Sequence, residues 1–342
     1  MKYYNIPIFV PHKGCPYDCI FCNQKRITGS SDEINETVIN NTIKEYLKTL
    51  PRNDSKNRIE VAFFGGSFTG IDTDVQKRFL STAYNYVING DIYGIRISTR
   101  PDYINKEILD MLSSYGVTTI ELGVQSLDED VLRIANRGHT KYDVYKAVEL
   151  IKTYDFSLGL QMMTELPGDT DDKAINTADE IISLRPDFVR IYPTLVIRDT
   201  KLHEMYENGT YTTRSVDDAA ELCKELLKKF NKANIKVIRI ALQTTDEISP
   251  NGSIVSGPYD AQFREIVESK LFYENISKKL EKLEFKSPVI YVNNKDISKA
   301  IGQKRINIIK LSEKIGVNVV IKSSDKISCG DFIITDGQES EG

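Results

Sequence analysis

The sequence predicts an α/β protein: a partial (β/α)6 barrel of the TIM type, followed by a small α+β domain. Three observations lead there. Seven short runs rich in β-branched and aromatic residues recur over the first 241 positions, charged stretches of helical period lie between them, and after residue 285 the pattern changes to strand, two short helices, strand. Regular β-α alternation implies a parallel sheet with its helices outside. A chain of 342 residues is long enough for one large domain and an appendage.

In order, the apolar runs are IPIFVPH (6–12), VAFFGGSF (61–68), IYGIRIST (92–99), TTIELGV (118–124), FSLGLQMM (156–163), FVRIYPTLV (188–196) and IKVIRIA (235–241). Helical stretches are expected at 73–88, 105–116, 128–138, 141–155, 172–186 and 216–234, with Gly116 and Pro186 where helices should stop. Six or seven βα units fall short of a closed eight-unit barrel, so a partial barrel fits best. Its chemistry should lie at the C-terminal ends of the strands. The expected division is a barrel over 1–258, a connecting helix over 259–285, the α+β domain over 286–336 and a disordered tail over 337–342.

Composition narrows the class. The formal charge is −4, with 45 Lys and Arg against 49 Asp and Glu, which argues against a wholly basic nucleic-acid protein. The N-terminal apolar run is too short for a signal sequence and no stretch approaches a membrane span, so a soluble, cytoplasmic protein without membrane contact is expected. Five cysteines are an odd number: Cys15, Cys19 and Cys22 crowd together, while Cys223 and Cys329 are isolated. In a reducing compartment such a cluster is more often a metal site than a disulfide framework.

GCPYDCIFCNQKR, residues 14 to 26, directly follows the first strand. Three thiols are one too few for a closed zinc site, which takes four N or S ligands. A four-iron cluster needs one ligand per iron, so three thiolates leave one iron open. The zinc alternative would be completed by His12 or Cys223.

Cys-x3-Cys-x2-Cys after the first strand of a partial barrel resembles the radical S-adenosylmethionine (radical SAM) superfamily. That resemblance covers roughly residues 4–270 and implies a [4Fe-4S] cluster on Cys15, Cys19 and Cys22. Its open iron would bind S-adenosylmethionine, whose reductive cleavage gives a 5′-deoxyadenosyl radical. It also implies cofactor contacts from Phe21 at the adenine, from the GGS turn Gly65, Gly66 and Ser67, and from Ser98. Gln125 of ELGVQS and Arg137, twelve residues on, should reach ribose and carboxylate, with Gln161 and Met163 on the fifth strand. Ser67, Phe68 and Ser98 replace residues that relatives often have as Glu or Thr, or as a carboxylate. A lone GG pair is otherwise a turn, a lone Arg a solvated charge, and a Met core filler. Lys25, Arg26, Arg100, Glu121, Arg190, Tyr192 and Arg239 are further polar residues that could face the lumen, as substrate contacts or internal ion pairs.

Within the superfamily, HKGCPYDCIFCNQKRITG, GGSFTG, ISTRPD, ELGVQS, ELPGDT and VRIYPTLVIRDTKLHEMY resemble the radical domain of the elongator catalytic subunit family, which modifies the wobble uridine of transfer RNA. About seventy residues follow position 270, too few for that family's acetyltransferase domain, so acetyl-coenzyme A use is not expected. A second resemblance is to oxygen-independent coproporphyrinogen dehydrogenase, although Gln24 stands where a further Cys is common. After residue 285, strand, helix, Ile-Gly-x-x loop, helix and strand resemble a KH RNA-binding domain. Its GxxG loop is here Gly302-Gln303-Lys304-Arg305, with Arg in the final Gly position. Residues 286–323 carry eight Lys or Arg against two acids, a net +6 that suits phosphate binding.

The expected function is thus radical SAM chemistry on RNA, most plausibly transfer RNA, served by an electron donor such as flavodoxin or ferredoxin. The alternatives are radical chemistry on a small molecule such as a porphyrinogen, and a non-catalytic RNA-binding protein with a zinc-stapled loop.

Overall fold

The computed structural model describes residues 2–10, 15, 18–23, 34–51, 57–242, 249, 251–282 and 285–337. His12, Gln24, Lys25, Arg26 and, from 338 on, the expected tail lie outside them. The chain divides into two compact units, 1–214 with 229–259, and 215–228 with 260–342.

The first unit is a parallel sheet. All seven apolar runs form strands: β1 (Lys2–Val10), β2 (Asn57–Gly65), β3 (Gly94–Thr99), β4 (Val117–Gln125), β5 (Ser157–Thr164), β6 (Phe188–Pro193) and, after the two-residue β7 (Val196–Ile197), β8 (Lys236–Ile240). They pair in the order β1-β2-β3-β4-β5-β6-β8, every pair parallel. The curled half-barrel therefore has seven strands, one for each apolar run. β7 pairs separately and antiparallel with β9 (Ile254–Ser256).

Around the sheet lie α1 (Glu36–Thr49), α2 (Thr73–Ile88), α3 (Lys106–Ser114), α4 (Glu129–Ile134), α5 (Lys141–Ile151), α6 (Asp171–Ser183) and α7 (Lys201–Glu207). Each starts at a short polar side chain, Asn35, Asp72, Asn105, Asp128, Thr140, Thr170 and Thr200 in turn, which accepts a backbone N–H of the first turn. Such caps stabilise a helix by about 1 kcal/mol each. The helices bury one stripe, as Ile39, Ile43 and Leu47 do on α1 at a spacing of four. Along β1 the same logic has period two: Ile6, Ile8 and Val10 are buried, while Tyr3, Asn5 and Phe9 are exposed on the opposite, lumen face.

α8 (Val216–Lys232) gives its residues up to Lys228 to the second unit. That unit continues through α9 (Phe263–Leu280), β10 (Pro288–Val292), α10 (Ile297–Ile301), α11 (Ile306–Ile315), β11 (Val320–Ser323) and β12 (Phe332–Asp336). β10 is central, parallel to β11 and antiparallel to β12. α9, expected as a connector, puts Phe272, Ile276 and Leu280 into one core with Ile290, Val292, Ala300, Leu311 and Val319. Its Glu274 pairs with Lys224, Lys228 and Lys278, which hold that carboxyl well below the usual range despite its burial. No helix among the described residues is long and apolar enough to cross a membrane.

Candidate active site

The cysteine loop leaves β1 at the C-terminal edge of the sheet and is stitched down by backbone bonds. Ile20 N–H donates to the Ala135 carbonyl (3.2 Å) and the Ile20 carbonyl accepts from Leu202 N–H (2.7 Å). Asn136 Nδ2 reaches the Asp18 carbonyl (3.0 Å), and Asn23 Nδ2 the carbonyls of Arg198 and Asp199 (3.3 Å each). A turn bond from Cys22 N–H to the Cys19 carbonyl (3.0 Å) sets the last two cysteines on one bend. Cys19 is 6% exposed, and Cys15 and Cys22 are half-buried. The stretches ending α4 and opening α7 therefore clamp the loop through main-chain groups, which carry no sequence signature, and through the side-chain amides of Asn136 and Asn23.

The turn after β2 forms the adjoining rim. Gly65 has φ 111°, and a Cβ there would lie 2.7 Å from the Val10 carbonyl oxygen. That position requires glycine for the sake of β1 itself. Gly66 N–H donates to the same carbonyl (3.0 Å). Ser67 Oγ and Thr69 Oγ1 meet Thr99 Oγ1 at 2.8 and 2.6 Å, so the Ser67 hydroxyl braces β3. Its backbone N–H turns to the Cys15 thiol instead. Burial pushes that thiol up, against the pull of the nearby Arg137 and Arg100 guanidiniums and the Ser67 N–H. Arg100, 2% exposed and held by both oxygens of Asp102 at 2.9 Å, also sits near Cys19.

On β4 the chain bulges between Gly123 and Gln125, and Gln125 takes a left-handed φ of 68°. The bulge aims Gln125 at Gln161 on β5, whose Nε2 donates to Gln125 Oε1 (3.1 Å). Arg137 reaches over Gly123, where a Cβ would be 2.8 Å from Nη2; it donates to the Gly123 carbonyl (2.7 Å) and lies 3.5 Å from Cys19 Sγ. His139 Nε2 meets the Val124 carbonyl at 3.2 Å, inside the same bulge. Burial, then Arg137 and Arg100, push this imidazole down to about 2, so the ring is neutral and Nε2 carries the proton. Among the described residues, Arg137 Nε, a donor, and His139 Nδ1, an acceptor, are buried here without a hydrogen-bond partner.

Phe21 and Met163 pack against one apolar cluster with Ile20, Val131 and Leu166. Ser98 is half-buried on β3, in register with Glu121. Further into the lumen, the polar strand residues pair with one another. Arg96 joins Glu60 (2.6 Å) and Glu121 (2.6 Å), Arg190 joins Glu121 (2.9 Å) and the Tyr192 hydroxyl (3.2 Å), and Thr118 and Thr119 donate to Glu60 (2.7 Å each). Arg239 is in register with Arg190.

Thus Cys15, Cys19, Ser67, Gln125, Arg137 and Gln161 are gathered at one rim. Arg100 was foreseen only as a lumen residue, and His139 not at all; both depend on long-range packing. Among the described residues no three His, Cys, Asp or Glu side chains converge on a metal-sized centre. The thiols share a loop, and holding a cluster requires that loop to draw them together. Cys223 is fully buried on α8, in the second unit.

In the second unit, Gly302 is buried and Gln303, Lys304 and Arg305 are exposed between α10 and α11. Gly302 has φ 75°, and a Cβ would stand 2.9 Å from Ile306 and 3.0 Å from Ser269. Lys304 (φ 50°) and Arg305 (φ 62°) are left-handed, the conformation that favours glycine. Asn307, buried behind the loop, donates through Nδ2 to Ser269, Lys299 and Ala300 carbonyls at 3.0 to 3.2 Å. Of the eight cations in 286–323, Lys299 pairs with Glu268 and Asp296, and Lys314 with Glu281.

A thiol loop on the first strand of an open parallel barrel, facing orphaned polar atoms at the strand ends, defines a class. The signature of the radical SAM superfamily matches residues 9–181, and that of the radical SAM C-terminal domain residues 186–273. The chain belongs to the radical SAM superfamily and is an enzyme of that kind, whose members bind a [4Fe-4S] cluster and S-adenosylmethionine. More particularly, it is 34% identical over 203 residues to human Elongator complex protein 3, covering 54% of this chain and 37% of that one. It is 30% identical over 186 residues to the tRNA uridine(34) acetyltransferase of Methanocaldococcus jannaschii, covering 48% and 34%. The chain thus spans little more than a third of these relatives. Elp3 of Methanocaldococcus infernus, solved without residues 1–46, shares the fold with a TM-score of 0.63 and 24% identity, covering 81% of this chain and 63% of that one.

Proposed function

We propose that this radical SAM enzyme modifies RNA, specifically transfer RNA, holding its cluster on Cys15, Cys19 and Cys22. The observation that carries the cofactor half is the pair of orphaned atoms, since buried polar groups are otherwise almost always satisfied. Arg137 Nε is a donor suited to the S-adenosylmethionine carboxylate, and His139 Nδ1 an acceptor suited to a ribose hydroxyl. Gly65, Gly66 and Ser67 offer backbone, Gln125 and Gln161 amides, and Phe21 and Met163 an apolar wall for the adenine; Ser98 lies on the lumen side of the same rim. The bound group supplies the 5′-deoxyadenosyl radical, reduced through a flavodoxin- or ferredoxin-type donor. The protein's own part is to hold the thiols beside two guanidiniums, fix the bulge that aims Gln125, and bury the site away from water.

The RNA half rests on the relatives' substrate and on the second unit as a KH-like domain. Its exposed Gln303-Lys304-Arg305 loop turns through two left-handed residues, the conformation that the glycines of a GxxG loop favour, and carries two cationic side chains, which supports that reading. The test is mass spectrometry of nucleosides in transfer RNA from cells with and without the gene, alongside filter binding of purified transfer RNA. A nucleoside that vanishes with the gene is expected. An unchanged nucleoside profile together with no binding would sink the proposal.

A further inference from the structure

The lumen face of the sheet carries an aromatic pair that the cofactor reading does not use. Phe9 and Phe64 are register partners on β1 and β2, one residue before Val10 and Gly65 at the strand ends. Their ring centroids are 6.5 Å apart, inclined at 43°. Phe64 shares the face of Glu60 and Ala62, and Arg190 stands over its ring, 5.4 Å from the centroid, so this face looks into the lumen. That guanidinium is already committed to Glu121 and Tyr192, so it backs the ring rather than awaiting an anion. Phe9, by contrast, is 43% exposed on the edge strand. Phe21 and Met163 belong to a different cluster, beside α4 and Leu166.

We infer that Phe9, backed by Phe64 and Arg190, is the platform on which an unstacked RNA base rests while it is modified. This rests on the reading of RNA as substrate, and it names the part of the lumen that holds the target base. An enzyme acting on a base must take it out of its stack, and an aromatic face repays part of that loss with little regard to base identity. The cation behind the platform is neutralised by Glu121, with which it forms an ion pair, so it offers a phosphate no free charge. A flat, neutral π system is the ligand that such a surface fits. The pair adjoins the Gly65 turn, at the same strand ends as the cysteine loop.

The chain contains no tryptophan, so Phe9→Trp in the whole chain introduces a single tryptophan at the platform, excited selectively over the tyrosines at the red edge of absorption. Tyr3→Trp, on the same strand and face but at its other end, is the control. With unfractionated transfer RNA as probe, emission from Phe9→Trp should fall on binding and that from Tyr3→Trp should not. Transfer RNA that binds without changing the emission overturns the platform and leaves the RNA substrate standing; failure of the wild-type protein to bind transfer RNA overturns the RNA reading itself. Quenching by S-adenosylmethionine alone also overturns the platform, since the surface would then serve the cofactor. If Phe9→Trp does not fold, Phe9→Leu decides: kcat/KM for RNA should drop about tenfold with S-adenosylmethionine affinity unchanged, as expected for one lost base stack. A Phe9→Leu protein as active as wild type would refute the inference.

Discussion

The barrel interior and its rim are built from the same kinds of side chain and treat them in opposite ways. In the interior, Glu60, Arg96, Glu121 and Arg190 are nearly fully buried and form ion pairs with one another across four strands; even Arg190 Nε, which makes no hydrogen bond, lies 2.8 Å from a Glu121 oxygen. At the rim, Arg137 and His139 are as deeply buried, yet each keeps one polar atom without a partner. Buried charge is tolerated only when paired, so the interior network belongs to the fold. An orphaned donor and acceptor side by side mark space kept for something else.

That contrast can be broken most directly at the thiols. Cys19→Ala should abolish activity, with iron content lost and no 5′-deoxyadenosine formed after reduction with S-adenosylmethionine, while the urea midpoint changes little. Next is the interior: Glu121→Gln strands Arg190 and half of Arg96's pairing, and should destabilise the first unit by about 3–5 kcal/mol, read from urea unfolding. If Glu121→Gln were neutral to stability but fatal to turnover, the network would belong to the site after all. Arg137→Gln should show the reverse pattern, weakening S-adenosylmethionine about tenfold or more by calorimetry (about 1.4 kcal/mol) with stability nearly kept.

The smallest effect concerns His139. Its folded ring stays neutral to about pH 2, whereas the unfolded imidazole takes a proton near 6.5. Below pH 6.5 the unfolded state binds the extra proton, so this contribution to stability is whole above 6.5 and falls by about 1.4 kcal/mol per pH unit as pH drops below it. Urea midpoints at pH 7.5 and 5.5 should diverge less in His139→Gln than in wild type.

The sequence exposes what is periodic and hides what is not. All seven strands were legible as short runs rich in β-branched and aromatic residues, the inner ones because a parallel strand buried on both faces is largely apolar and β1 because its apolar residues alternate. The resemblance to the radical SAM superfamily singled out Cys19, Gln125, Arg137 and Gln161; the βα repeat by itself only returns strand ends such as Gln125 and Gln161 to the same edge. β7, β9 and β12 went unforeseen: they are two, three and five residues long, and β12 follows SCGD with no alternation strong enough to announce it. Arg100 and His139 acquire their places only when β3, β4 and the cysteine loop come together. The helix expected to link two domains is part of a core because its buried face answers residues that lie after it in the chain.

A closed eight-stranded barrel is filled with side chains and admits substrates only over its top. Here β1 and β8, the outermost strands of the sheet, each pair with one neighbour among the described residues. Lys236 of β8 reaches the Tyr3 ring of β1, 5.7 Å from its centroid, across the N-terminal ends, so the missing closure leaves a doorway toward the strands' other ends. What passes through it need not be small enough to be swallowed: a polymer can stay outside and offer a single residue. An unfinished barrel is in this sense a limit on depth but not on size, and the exposed lumen face of β1 is its threshold.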